Sequence, residues 1–153
     1  MPAELKYLLI MACSQRKRSF PELLPAIERY DGGNFRVLRK AKREGYCPQN
    51  IDILILSAKY GLINASTLIA NYDQRMNQAR AKELKAQTIQ TLQNYATEDT
   101  YYEVYVDLGR DYNSSIEGLS NLFSCSSVIY AEGRVGERQA RLRNWIVAKY
   151  EGR

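Results

Sequence analysis

Lys6-Tyr7-Leu8-Leu9-Ile10-Met11 reads as a strand, and it stops at Ala12-Cys13-Ser14-Gln15-Arg16-Lys17-Arg18. The run is apolar without alternation, as in a central strand covered on both faces. Three other stretches share the layout. Residues 51–56 run into Ser57-Ala58-Lys59-Tyr60-Gly61, residues 101–108 into Gly109-Arg110-Asp111-Tyr112, and residues 128–131 into Glu132-Gly133-Arg134-Val135-Gly136-Glu137-Arg138. Helical patterns separate them. This predicts an α/β fold with three layers, α/β/α, around a four-stranded parallel sheet. Right-handed crossovers give the order 2-1-3-4 in sequence numbering of the strands. The chain reverses direction between strands 1 and 3, so a ligand crevice is expected there, outside the carboxyl ends.

The segments between the strands are read as follows. Pro21 opens a helix near an N-cap Ser19, with Leu23, Leu24, Ile27 and Tyr30 on its apolar stripe. Asn34 caps a second helix carrying Phe35, Val37, Leu38 and Ala41, which ends near Gly45. Residues 62–77 are expected as a loop over the sheet's edge. Further helices are expected at 78–96, 114–123 and 136–150, the last with Leu142, Trp145 and Ile146 in the core. Residues 1–153 are taken as a single domain, a length that supports a sizeable core.

Composition narrows the chemistry. No run approaches the roughly 20 apolar residues of a membrane span. The apolar stretch at 8–12 is too short for a secretory signal, and its basic residues follow it, so a cytoplasmic protein is expected. Cys13, Cys47 and Cys125 are an odd number without metal spacing, which argues against a disulfide framework and against a bound metal. The absence of histidine removes His-based triads, His general bases and most zinc sites. Neither a Walker P-loop nor a complete G-x-G-x-x-G is present, and no cofactor is expected. The net charge of +5, with 22 basic residues, favours polyanionic partners without requiring one.

Each strand end contributes candidate residues. Cys13 lies among cations just past a strand, the electropositive setting of reactive cysteines, and competes with the reading of a small buried thiol. Ser14 and Lys17 could hold a phosphate in the same loop. Lys59 is the lone cation of an apolar stretch, read as a nucleophile or base, a partner for an anionic substrate or for Asp73, or an exposed loop lysine. Ser57 and Gly61 let the chain turn there. Gly109 allows close approach of a ligand, while Tyr60 or Tyr112 could stack on a base. Gly133 and Gly136 suit a turn onto a helix N-terminus, an anion site, with Arg138 one turn before Leu142 at the crevice end.

A set of residues also carries a family resemblance. It comprises Cys13-Ser14 with Lys17, Pro25-Ala26, Tyr30 and Gly32 with Phe35, Leu56-Ser57-Ala58-Lys59-Tyr60-Gly61-Leu62, Tyr72-Asp73, and Gly109 with Tyr112. The set resembles the uncharacterised bacterial and phage domains loosely grouped as YaaA-like, over residues 8–145. That family is distantly similar to the core domain of archaeosine synthase, which acts on a deazaguanine base in tRNA. The synthase pattern continues after its Cys-Ser-x-x-Lys-like motif with Pro-Tyr and ends in a histidine; here Arg18 and Ser19 follow and there is no histidine. The resemblance implies a sheet like that of uracil-DNA glycosylase.

The expected function is therefore an enzyme, or enzyme-like domain, acting on a nucleotide, nucleoside or nucleobase, free or within DNA or tRNA. Cys13, Lys59 and Asp73 are the catalytic candidates. Ser14, Lys17, Ser57, Tyr60, Gly109, Tyr112, Gly133, Gly136 and Arg138 are the binding candidates. The alternative is a non-catalytic nucleotide- or nucleic-acid-binding module of a stress or phage-related system.

Overall fold

The computed structural model describes residues 5–47 and 49–152. In chain order its elements are β1 (Lys6–Ala12), β2 (Leu24–Pro25), α1 (Ala26–Arg29), α2 (Gly33–Arg43), β3 (Ile51–Ser57), β4 (Gly61–Asn64), β5 (Leu68–Ile69), α3 (Gln78–Glu98) and β6 (Tyr101–Asp107). A 3-10 helix (Arg110–Ile116), α4 (Leu119–Leu122), β7 (Ser127–Tyr130) and α5 (Val135–Tyr150) complete it. The central sheet has five strands in the order β4-β3-β1-β6-β7. β1 pairs in parallel with β3 and β6, and β6 with β7, whereas β4 runs antiparallel to β3.

β1 is apolar throughout because both of its faces are covered. Tyr7, Leu9 and Met11 pack with Phe35, Leu142, Trp145 and Ile146 of α2 and α5. Leu8 and Ile10 point the other way, into a cluster with Leu92 of α3 and Leu119 of α4. All five of these β1 side chains are buried. The period-2 alternation of a strand thus serves two cores at once.

Three expectations are corrected. The sheet is neither four-stranded nor wholly parallel, because part of the presumed loop at 62–77 forms β4. Gly61, at φ +76°, starts the reversal, and Ser57 pairs with Gly61 across the hairpin. Strands this short carry almost no periodic signal. The helix expected from Pro21 is reduced to the four residues of α1, preceded by β2. Pro25 accounts for this, since the residue before a proline is driven out of the helical region and proline donates no N–H. Buried Arg29 then gathers the segment before it, donating to the carbonyls of Arg18 at 2.7 Å, Phe20 at 2.8 Å and Glu22 at 2.5 Å. The helix expected at 114–123 is broken by Gly118 at φ +90° into a 3-10 turn and α4.

Candidate functional site

Two strand ends make the site. β1 delivers Cys13, whose N–H donates to the carbonyl of Leu56 at 3.1 Å and so stays tied to the end of β3. β6 delivers Asp107 and, just beyond it, Gly109. The Tyr112 N–H donates to the Gly109 carbonyl at 3.1 Å, which turns the tyrosine back toward β1. Its hydroxyl lies 3.4 Å from Cys13 Sγ and 3.4 Å from the Cys13 carbonyl.

Two clefts open around this pair. One, of about 220 Å³, is lined by Ala12, Cys13, Asn34, Asp107, Gly109, Tyr112, Val135 and Arg138. The other, of about 250 Å³, lies between the Cys13–Gln15 loop and residues 74–76, with Asp111 and Tyr112 on its far side. Cys13 and Tyr112 line both, so the thiol sits where the clefts meet.

Toward β3 lies a cluster of hydroxyls and rings. Tyr30 donates to Ser57 Oγ at 2.9 Å, and the Tyr72 hydroxyl lies 2.6 Å from that of Tyr30 and 3.1 Å from Ser57 Oγ. Ser57 Oγ also accepts the N–H groups of Lys59 at 3.3 Å and Tyr60 at 3.1 Å, which fixes the turn after β3. The Tyr60 ring meets Tyr72 edge-on at 5.6 Å. Lys17 Nζ lies 4.3 Å from the centre of the Tyr72 ring, a cation–π arrangement. Burial pushes the Lys17 ammonium below its ordinary pKa, while the charges of Cys13 and Asp73 pull the other way. Burial raises the phenols of Tyr30 and Tyr112, and that of Tyr72 to about 12.

Cys13, Gly109, Tyr112 and Arg138 surround one cleft. Arg138 is already engaged through one nitrogen, while its buried Nε has no hydrogen-bond partner. Its Nη2 donates to Asp107 Oδ1 at 2.8 Å and to the Leu108 carbonyl at 3.0 Å. Ser14 lines the second cleft, but its hydroxyl donates to the Arg16 carbonyl at 2.6 Å and accepts the Gly32 N–H at 3.1 Å, so it holds the loop. Gly32 is needed for that approach, since a Cβ there would lie 2.7 Å from Ser14 Cβ. Lys59 is exposed, its Nζ 5.3 Å and 5.8 Å from the ring centres of Tyr60 and Tyr72, at the rim of the cluster rather than in either cleft. Asp73 is exposed beside Lys17. Gly133 and Gly136 line neither cleft. Their turn is capped by the chain's own carboxylate, with the Arg134 N–H donating to Glu137 Oε1 at 3.4 Å where an external anion was expected.

Asp107, Asn34, Tyr30 and Tyr72 complete the site and were not among the residues assigned to it from sequence. For Asp107 the signal was present: an acidic side chain near the end of an otherwise apolar run must be buried or aimed at something. Asn34 was read only as a helix cap.

A larger cleft, of about 420 Å³, lies at the opposite end of the sheet, between Tyr7, Cys47, Asn50, Lys149 and Tyr150. Size alone does not favour it, because the convergent hydroxyls, thiol and buried carboxylate are at the carboxyl end. Among the described residues no group of three or more His, Cys, Asp or Glu could hold a metal, and no helix is long and apolar enough to cross a membrane.

No curated protein and no solved structure matches the chain. The sequence model of DUF6884, a family of unknown function, matches residues 8–144, a stretch that takes in both clefts and everything from Cys13 to Arg138, and the chain belongs to that family.

Proposed function

We propose that the protein is a cytoplasmic enzyme acting on a nucleotide, nucleoside or nucleobase, free or within a nucleic acid. The observation that carries this reading is Cys13 Sγ set against the Tyr112 hydroxyl where two clefts meet. Cys13 is the nucleophile, with the Tyr112 hydroxyl in contact with its sulfur. The tyrosines around it have raised pKa values and stay protonated near neutrality, so they serve as hydrogen-bond donors and ring surfaces. Lys17 and Lys59, held on tyrosine faces, attract the phosphate side of the ligand, with Asp73 beside Lys17. The resemblance to YaaA-like domains and the archaeosine synthase core supports a base as substrate. The succession β3-β1-β6-β7 of the parallel strands supports the comparison with uracil-DNA glycosylase.

The same protonated hydroxyls favour a second reading, a non-catalytic nucleotide- or nucleic-acid-binding module of a stress or phage-related system, since donors bind without removing protons. One experiment bears on both. Timed alkylation with iodoacetamide, read by mass spectrometry, is repeated with a panel of nucleosides and nucleotides. A ligand of the site slows alkylation of Cys13 and leaves exposed Cys47 and Cys125 unchanged. If no panel member protects Cys13, both readings fall. Protection without turnover selects the binding module.

A further inference from the structure

Asp107 ends β6 with a side chain only 1% exposed, yet it lines the smaller cleft beside Cys13, Gly109 and Tyr112. Its Oδ2 accepts from Asn34 Nδ2 at 2.6 Å and its Oδ1 from Arg138 Nη2 at 2.8 Å. A carboxylate has about four lone-pair sites, so these two bonds leave acceptor capacity on both oxygens. Arg138 cancels its charge, and the pair brings no net charge into the cleft. An anion entering there would meet the carboxylate. A ligand carbonyl would set oxygen against oxygen. A neutral N–H donor would meet an acceptor with spare lone pairs whose carboxylate is buried, and a hydrogen bond to a buried group counts most.

We infer that Asp107 is the ligand-reading residue of this cleft, and that its ligand is a neutral heterocycle presenting adjacent N–H donors, such as the amide–amine edge of a guanine-type base. The inference rests on the nucleotide reading above and narrows it. Asn34 and Arg138 are positioning residues that fix the carboxylate plane. Burial also holds the Asp107 carboxyl above the ordinary aspartate range despite its cationic partner, as expected of an acceptor whose hydration is incompletely replaced. A uracil-type edge, with carbonyls flanking its single N–H, is disfavoured. A hypoxanthine-type edge keeps the ring N–H and loses the exocyclic amine.

The test is calorimetric titration with guanosine, inosine, adenosine and uridine 5′-monophosphates. The wild type is expected to prefer the guanosine over the inosine nucleotide by about tenfold or more, the worth of one charge-assisted hydrogen bond. Asp107→Asn should bring that ratio close to one. Because this change leaves the Arg138 charge without its carboxylate, the ratio is measured also in the double variant Asp107→Asn with Arg138→Gln. If the single variant does not fold, the double variant decides. Equal wild-type affinities for the guanosine and inosine nucleotides, a ratio that survives loss of the carboxylate, or tighter binding of the uridine nucleotide would each overturn the inference and leave the nucleotide reading standing. Failure of all four to bind would overturn both.

Discussion

Two carboxylates on the same face of β6 have opposite fates. Glu103 accepts from Trp145 Nε1 at 2.6 Å and from Lys149 Nζ at 3.2 Å, both on α5. Asp107, at the end of the same strand, accepts from Asn34 and Arg138, and a cleft opens beside it. Both acids are buried and both face a cation. What separates them is the cleft: Asp107 walls it together with Val135 and Arg138 of α5, whereas Glu103 lines neither of the two clefts at the carboxyl end. Burial with partners makes a carboxylate part of the fold; only burial at the wall of a cleft marks a place for a ligand.

The sharpest way to break this contrast is Glu103→Ala. It removes the acceptor of the Trp145 N–H and the carboxylate that faces the Lys149 ammonium. Removing one partner of a buried pair is expected to cost about 3–5 kcal/mol of unfolding free energy. Urea unfolding measures it, and nucleotide binding per folded molecule should not change. A loss below about 1 kcal/mol would remove the structural role assigned to Glu103.

Asp107→Asn sharpens the comparison through pH. The folded pKa of Asp107 stands above its ordinary value of 3.8. Its contribution to stability is therefore fully present below that value and is lost as pH rises through the folded one. The difference in unfolding free energy between wild type and Asp107→Asn should move in favour of the variant as pH rises through this window. A difference independent of pH would mean that Asp107 titrates alike in both states.

The smallest effect on stability is expected from Gly109→Ala, which tests the opening itself. Gly109 has φ −77°, so alanine is not strained there, and the added Cβ would lie 3.9 Å from the Tyr112 ring. Unfolding free energy should stay within about 0.5 kcal/mol of wild type. Affinity in the nucleotide titrations should fall, because the methyl group narrows the cleft beside Asp107. Unchanged affinity would place the ligand in the neighbouring cleft between Ser14 and Met76.

The long elements were legible from pattern. Apolar runs without alternation mark β1 and β3 as sheet interior, and α3 and α5 show their stripes as Leu84, Thr88 and Leu92, and as Leu142, Trp145 and Ile146. Cys13, Gly109 and Arg138, each after an apolar run, do line one cleft, whereas Lys59, expected with them, stands at the rim of the tyrosine cluster. Short elements were not legible. β4, β2 and the four-residue α1 are too brief to have a period; Gly61 and Pro25 act on them locally, and buried Arg29 through bonds to distant carbonyls.

Sequence also determined which charges exist but not how they are used. Arg138 is a cation near a turn in either account; only the fold brings it 2.8 Å from Asp107 and spends its charge there. Glu137 is an ordinary helix-start acid until the turn of Gly133 brings its carboxylate to the N–H of Arg134. Tyr30 and Tyr72, 42 positions apart, share a hydrogen bond through folding alone. Covalent order fixes local backbone preference and the side-chain inventory. Pairing between distant groups depends on which surfaces the sheet and helices bring within a few ångströms, and that is settled by the packing of the whole chain.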